Sequence, residues 1–379
     1  MRIASYNVEN LFERAKVMNL ENWAEGKPVL NDYAALNALL GEQTYTDVAK
    51  EKMVALMQNL GLEASDTGPF VLLRRNRGAL LKRPKTGGIE ITASGRNDWV
   101  GSLELLRGPI NHVAIQNTAR VIHHLNADVL ALIEAENRTA LVNFNEQVLS
   151  THHEADESDA VEGGAYAHVM LIDGNDERGI DVGLMTRAGF PIGLMRSHVD
   201  DRSAQNQRIF SRDCPEYEIE TPQGERITLL INHLKSKGFG TPASSNAKRL
   251  LQAQRIKEIV ETLQAEGKEL IAVVGDFNDT PDSAALQPLL SMTKLRDVAT
   301  HPKFDDGGRP GTFGACTASN KIDYLLLSPA LWARVKAGGI SRIGVWPGVR
   351  PAKWPVLATL TAPAEAASDH AAIWCDLDF

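Results

Sequence analysis

Along this chain the apolar residues gather into short unbroken runs more often than into helical stripes. Leu270 to Val274, Val129 to Ile133 and Ile227 to Ile231 are dense in branched aliphatic side chains, the pattern of strands buried on both faces. Each run stops abruptly on polar chemistry. Gly275-Asp276-Phe277-Asn278-Asp279 follows the first, Glu134-Ala135-Glu136-Asn137 the second, and Asn232-His233-Leu234-Lys235-Ser236-Lys237 the third. A strand over Ile3 to Tyr6 closes on Asn7-Val8-Glu9-Asn10, and others are expected near Val182 to Met185, Lys321 to Leu327 and Ser368 to Trp374.

Helical spacing is rarer. Ile115, Ala119, Ile122 and Leu125 mark one helix, ended by Asn126-Ala127-Asp128, and Asn246 to Ala265 forms another with Ile256, Ile259, Val260 and Leu263 on one face and Gly267 as its stop. Between about Ala15 and Pro109 the texture changes. A helix is expected from Asp47 to Leu60, followed by a β-hairpin over Leu72 to Lys85 that turns at Asn76-Arg77-Gly78 and carries basic residues near its tip. The polar stretch from Thr151 to Glu162, with His152 and His153, is expected to be an exposed loop. Many strands with few intervening helices favour two packed mixed or antiparallel sheets with outer helices over a doubly wound parallel sheet. Such packing brings the polar strand ends to one edge.

Bulk properties narrow the class. A length of 379 residues allows two domains or one large layered domain. Hydrophobic residues at 43% and charged residues at 23% are those of a globular protein with ample core. A formal charge of −8 argues against coating nucleic acid by bulk electrostatics, leaving a local basic patch as the only such route. Cys214, Cys316 and Cys375 are odd in number and far apart, so neither a disulfide framework nor a zinc knot is indicated. No apolar run approaches bilayer length, and Met1 to Asn7 reads as a strand instead of a signal segment. A cytoplasmic protein with no membrane contact and no obligate protein partner is expected.

The strand ends together offer Asn7, Glu134, His233, Asp276, Asn278, Asp323, Asp369 and His370. Asp276 and Asn278, two residues apart, can project to one side once Gly275 lets the backbone turn. Ordinary turns are also rich in Asp, Gly and Asn, so that stretch alone leaves turn and site open. Oxygen and imidazole donors without thiolate suit Mg²⁺, Mn²⁺ or Ca²⁺ and not a structural zinc. Asp181 and Asn232 are as well explained by caps or turns as by a site. Glu136 and Asp279 read as outer or solvent-exposed acids, and His123-His124 as residues at a helix end.

The ordered set S-Y-N-V-E-N (Ser5 to Asn10), A-D-V-L-A-L-I-E (Ala127 to Glu134), R-G-I-D-V (Arg178 to Val182), N-H-L-K-S-K (Asn232 to Lys237), G-D-F-N-D (Gly275 to Asp279), K-I-D-Y-L-L-L-S (Lys321 to Ser328) and S-D-H (Ser368 to His370) resembles the metal-dependent endonuclease/exonuclease/phosphatase superfamily, to which the deoxyribonuclease I-like enzymes belong. Each motif is weak alone, but their order spans nearly the whole chain. The resemblance implies a four-layer α/β sandwich, two mixed β-sheets flanked by helices, as one catalytic domain over residues 1–379 with a variable insertion at 15–109. It implies that Asn7, Glu134 and Asp369 hold the metal and that Asp276 orients or deprotonates the attacking water. It also implies that Asn278 holds the phosphate, that His233 contacts a phosphate oxygen or the leaving group, and that His370, oriented by Asp323, is the terminal catalytic histidine.

One departure matters. Several members carry a Tyr near the Arg178 segment; here Arg178 is expected to supply that phosphate contact, with Arg212 a weaker candidate for the same rim. Three functions stay open. In a nuclease, Arg74, Arg75, Arg77, Lys82, Arg83 and Lys85 would form an arm on the nucleic-acid backbone, although a basic run is as often a solvated surface. A phosphoesterase for a small or lipid-linked phosphoester fits the negative charge, but no amphipathic membrane helix accompanies it. A non-catalytic binding protein on the same fold ranks last, because no central site residue is missing.

Overall fold

The computed structural model of the protein describes residues 1–11, 13–20, 23–109, 111–151, 165–176, 178–238, 241–349 and 353–379. The expected loop over Thr151 to Glu162, with His152 and His153, falls almost wholly outside the described residues. The chain divides into two compact units, one of Met1–Phe12, Asn111–Lys237 and Thr241–Phe379, the other of Glu13–Ile110 with Gly238–Gly240.

The larger unit is built on two sheets. One has seven strands, ordered Phe304–Asp305, Val335–Ser341, Ala372–Leu377, Arg2–Leu11, Val129–Ala135, Asp181–Thr186 and His168–Leu171. The other has six: Ile192–Arg196, Glu216–Glu220, Arg226–His233, Ile271–Asp276, Asp323–Leu327 and Arg296–Asp297. Both are mixed. Arg2–Leu11 runs parallel to Val129–Ala135 and Arg226–His233 parallel to Ile271–Asp276, while most other neighbours are antiparallel.

Two-residue alternation decides the layering. Ile3, Val129, Ala131 and Ile133 of the first sheet meet Leu229, Ile231, Ala272, Val274, Leu325 and Leu327 of the second in one fully buried core. The alternate side chains, Ala4, Tyr6, Val8, Leu130 and Leu132, face outward onto Ala119, Ile122 and Leu125 of the His112–Leu125 helix. Leu230, Ile271, Val273 and Leu326 likewise pack on Ile256, Ile259, Val260 and Leu263 of the Pro242–Ala265 helix. Helix, sheet, sheet, helix is the expected four-layer sandwich. Strands with apolar residues on both faces read as continuous runs for this reason.

The register sets the site. Parallel pairing places Asn232 opposite Gly275 and His233 opposite Asp276, and antiparallel pairing places Asp276 opposite Asp323. Gly275 lies inside its strand and makes no turn. Its φ is +132°, and a Cβ there would stand 1.9 Å from the Asn232 carbonyl oxygen, so only glycine lets the two backbones approach.

The smaller unit has its own core. Tyr33, Leu36 and Leu40 of the Trp23–Leu40 helix pack with Met53 and Met57 of the Asp47–Asn59 helix and with Val71, Leu73, Trp99 and Leu103 of a strand pair. Trp99 Nε1 donates to the Tyr45 hydroxyl at 2.9 Å, and that hydroxyl donates to the Leu40 carbonyl at 2.7 Å. The expected hairpin over Leu72 to Lys85 is corrected. Val71–Gly78 pairs with Trp99–Leu105, and Leu81–Lys82 pairs with Glu90–Ile91. Burial of Leu73, Trp99 and Leu103 on one face outweighs the local turn signal at Asn76 to Gly78. The Trp23–Leu40 helix has no clear signal in the sequence because Gly26 and Pro28 disguise its opening turns. Among the described residues no helix is long and apolar enough to cross a membrane. All three cysteines are buried and unbridged.

Candidate active site

Polar side chains from both sheets meet where the strands end. Asp323 opens its strand in the six-stranded sheet, and its Oδ2 lies 2.8 Å from His370 Nδ1, just ahead of the Ala372–Leu377 strand of the other sheet. Nε2 of His370 lies 3.9 Å from Asp276 Oδ2. Nε2 of His233 approaches the same oxygen at 3.6 Å and Glu134 Oε1 at 3.7 Å. Asn7 donates its Nδ2 to Asp276 Oδ2 at 3.3 Å. Asn278, held at φ +54°, caps the corner: its backbone N–H donates to Asp276 Oδ1 at 2.8 Å and its Nδ2 to Asp276 Oδ2 at 3.1 Å.

Local bonds lock this arrangement. Ser368, fully buried, donates to the Asn7 carbonyl at 2.7 Å and accepts the His370 N–H at 2.9 Å. Thr312 Oγ1 accepts the Asp323 N–H at 3.1 Å, and the Phe313 ring sits 4.9 Å from that of His370. Glu134 is held at φ +67°, a left-handed conformation costly for glutamate and commonest at functional sites.

The two imidazoles have opposite electrostatic settings. Burial works against charge on His370, yet Asp323, Asp369 and Asp276 push its pKa well above the ordinary histidine value. Burial, together with the nearby Arg212 and Arg178 guanidiniums, pushes His233 well below it. Burial and the Asp323 charge raise Asp276 to about 7, with His370 opposing. Burial also raises Glu134, with His370, Arg212 and Arg178 opposing. Two imidazoles pushed in opposite directions and a carboxylate made more basic than usual thus share one corner.

Nearly all the core residues expected from the sequence converge here. Asn7, Glu134, His233, Asp276, Asn278, Asp323 and His370 are linked by the contacts above, and Asp369 Oδ1 lies 3.8 Å from His370 Nε2 with its side chain half-exposed. Arg178 lies with its guanidinium on Asp176, at 2.8 and 2.6 Å, and Arg212 Nε is 3.2 Å from that carboxylate. Asp181 is buried and accepts the Gly174 N–H at 2.8 Å. Of the two expectations for Asp279, an acid behind the site or an exposed one, burial rules out the second: the residue is buried, with Arg249 Nε 3.1 Å from its carboxylate. The basic residues Arg74, Arg75, Arg77, Lys82, Arg83 and Lys85 belong to the smaller unit. Four of them meet acids: Arg74 with Glu104, Arg75 and Arg83 with Asp66, and Lys82 with Glu90. Sequence reasoning missed Asp176 and Thr312, which carry no motif signal of their own, and gave Ser368 no role beyond its place in the S-D-H motif.

Glu134, Asp369 and Asn7 offer hard oxygen donors, and burial that raises the Glu134 and Asp276 carboxylates in spite of the cationic groups nearby is the setting a divalent cation relieves. The donor set therefore fits such an ion. Among the described residues, the acids and imidazoles that converge most tightly are Asp276, Asp323 and His370, with ligand atoms within 4.8 Å of one another. In that trio Asp323 is already bonded to His370 Nδ1.

Residues 83–304, more than half of the chain, match the model of a family described as the Endonuclease/Exonuclease/phosphatase family. No curated protein matches the sequence. Among solved structures, the Bacteroides thetaiotaomicron mannosyl-6-phosphatase is similar over 70% of this chain and 91% of its own, at 17% identity and a TM-score of 0.49. The human Nocturnin catalytic domain with bound sulfate anion is similar over 72% and 88%, at 15% identity and a TM-score of 0.48. A truncated Caenorhabditis elegans TDP2 is similar over 69% and 88%, at 14% identity and a TM-score of 0.46.

Proposed function

Because this chain belongs to the endonuclease/exonuclease/phosphatase family, whose members are metal-dependent phosphoester hydrolases, we propose that it is a phosphodiester hydrolase acting on nucleic acid, DNA first and RNA second. The observation that carries the reading is the meeting of two imidazoles, His370 and His233, on one Asp276 oxygen, at 3.9 and 3.6 Å.

In-line hydrolysis needs a positioned water, neutralised phosphoryl oxygens and an eased leaving group. Asp276, with its raised pKa, is the group that takes the proton of the attacking water. The Asn278 amide, whose Nδ2 is placed by Asp276 at 3.1 Å and by the Leu234 carbonyl at 3.2 Å, is the group that turns an N–H to the phosphate beside that water. His370, kept protonated by Asp323, stabilises charge as it develops on phosphoryl oxygen. His233, neutral and buried, contacts a phosphate oxygen or the leaving group. Glu134, with Asn7 and Asp369, would hold a divalent cation, Mg²⁺ or Mn²⁺, with Ca²⁺ the larger alternative; what it supplies when bound is charge neutralisation at the phosphoryl and leaving oxygens.

The nucleic-acid reading is supported by Arg74, Arg75, Arg77, Lys82, Arg83 and Lys85, six cations in twelve positions. Glu104 and Glu90, the partners of Arg74 and Lys82, are exposed or nearly so, and exposed ion pairs are weak enough to yield to phosphate, whereas Arg75 and Arg83 share the less exposed Asp66. A second reading, a small phosphoester substrate, is favoured by the pairing of Arg75 and Arg83 with Asp66, which already commits two of these cations. Purified protein with Mg²⁺, Mn²⁺ or Ca²⁺, assayed on plasmid, linear duplex, single strands, RNA, a chromogenic phosphodiester and a phosphomonoester, separates them. Cleavage of nucleic acid supports the first reading, and turnover confined to the small esters selects the second.

A further inference from the structure

One carboxylate outside the expected motifs organises the cationic side of the site. Arg178 meets Asp176 edge-on, Nε 2.8 Å from Oδ1 and Nη2 2.6 Å from Oδ2, and its own N–H donates to Oδ1 at 3.1 Å. Arg212, only 2% exposed, brings Nε to 3.2 Å from Oδ2 of the same group. Its Nη1 donates to the Leu234 carbonyl at 3.4 Å, the carbonyl that also accepts Asn278 Nδ2. Leu234 in turn donates its N–H to the Asp276 carbonyl at 2.9 Å. The chain of contacts therefore runs from Asp176 through Arg212 and Leu234 to the water corner.

Buried guanidiniums repel each other and need a shared counter-charge to lie side by side. Asp176 supplies it. Bidentate pairing also fixes the plane of a guanidinium, which a lone backbone contact does not. Both arginines act on the site, since their charge bears on Glu134 and His233.

We propose that Asp176 is a positioning residue that sets Arg178 for phosphate and, through Arg212 and the Leu234 carbonyl, sets Asn278. The claim rests on the phosphodiesterase reading, with Arg178 as the phosphate contact. It is tested by titrating the full-length protein with inorganic phosphate and following its thermal midpoint, a readout that needs no turnover, beside KM and kcat on a chromogenic phosphodiester.

Asp176→Asn is expected to weaken phosphate and raise KM by about tenfold or more, and to add little further loss when Arg178→Ala is already present. Asp176→Glu keeps the charge that balances Arg212, and with it the fold, but shifts both guanidiniums by one methylene; it is expected to weaken phosphate about threefold or more. Phosphate affinity unchanged in both variants, losses that simply add to those of Arg178→Ala, or a wild-type protein that phosphate does not stabilise, would each overturn the proposal. Wild-type protein that binds phosphate but hydrolyses no diester would instead sink the functional reading and leave the clamp standing.

Discussion

Asp323 Oδ2 stands 2.8 Å from Nδ1 of His370, and this one bond crosses from the six-stranded sheet to the seven-stranded one. The sandwich is what makes the pair, because 47 residues of sequence separate its members. With Nδ1 committed to the carboxylate, Nε2 is the nitrogen turned toward Asp276. Asp323→Asn keeps the shape and removes the charge that sustains the imidazolium. Activity is expected to fall on the order of 10²–10⁴-fold, with circular dichroism unchanged. Wild-type activity in this variant would remove His370 from the mechanism.

The smaller unit's basic residues make a separate case. Replacing Arg74, Arg75, Arg77 and Lys82 with Gln is expected to lower DNA affinity and to flatten the slope of log K against log salt by up to about 0.9 for each phosphate no longer neutralised. Turnover of a small chromogenic diester should hardly change. An unaltered salt slope would show these residues to be a solvated surface.

Asp181 gives a pH signature independent of catalysis. Burial, with help from Asp173 and Asp176 and against the Gly174 N–H, raises its pKa to about 7. Between the unfolded carboxylate pKa of about 4 and this value the folded chain keeps a proton that the unfolded chain releases. Stability contributed by this group therefore falls as pH rises through that window. Asp181→Asn, which keeps the acceptor for Gly174, is expected to be more stable than wild type above pH 7 by at least about 1 kcal/mol, and nearly equal to it at low pH. Chemical denaturation at several pH values checks this, and parallel curves would contradict it.

His198 runs the other way. Its Nε2 lies 2.7 Å from Glu216 and its Nδ1 2.9 Å from Asp201. Burial opposes its charge, but the two carboxylates raise its pKa above the ordinary value. The stability it contributes is full below the unfolded histidine pKa of about 6.5 and is lost as pH rises through the higher folded value. His198→Gln should therefore be least stable relative to wild type in acid, with the gap closing in alkali. A constant gap would show that packing, not charge, is what His198 contributes.

Much of this is legible in the sequence, and the reasons differ by residue. The runs ending at Ile133, Ile231 and Val274 announce strands because burial on both faces leaves no polar alternation to confuse the period. Asn7, Glu134, His233 and Asp276 announce a site because each closely follows such a run. Gly275 reads as a turn because a glycine after an apolar run looks the same whether it bends the chain or admits a neighbouring backbone. The misplaced hairpin has a similar origin: Asn76 to Gly78 carries a local turn signal, but cross-strand burial of Trp99 and Leu103 decides the pairing. Asp176 and His198 are invisible in sequence because each joins a near neighbour, Arg178 or Asp201, to a partner from a distant segment, Arg212 for one and Glu216 for the other.

The central claim is that Asp276 handles the attacking water in a metal-dependent phosphodiester hydrolase. Steady-state hydrolysis of a chromogenic phosphodiester in Mg²⁺ and Mn²⁺, with and without EDTA, by wild type and Asp276→Asn tests it most directly. The expected result is metal-dependent turnover by wild type, abolished by EDTA and reduced in Asp276→Asn on the order of 10²-fold or more, while the variant keeps its thermal midpoint. Equal rates in the two proteins, or turnover that EDTA leaves untouched, would contradict it.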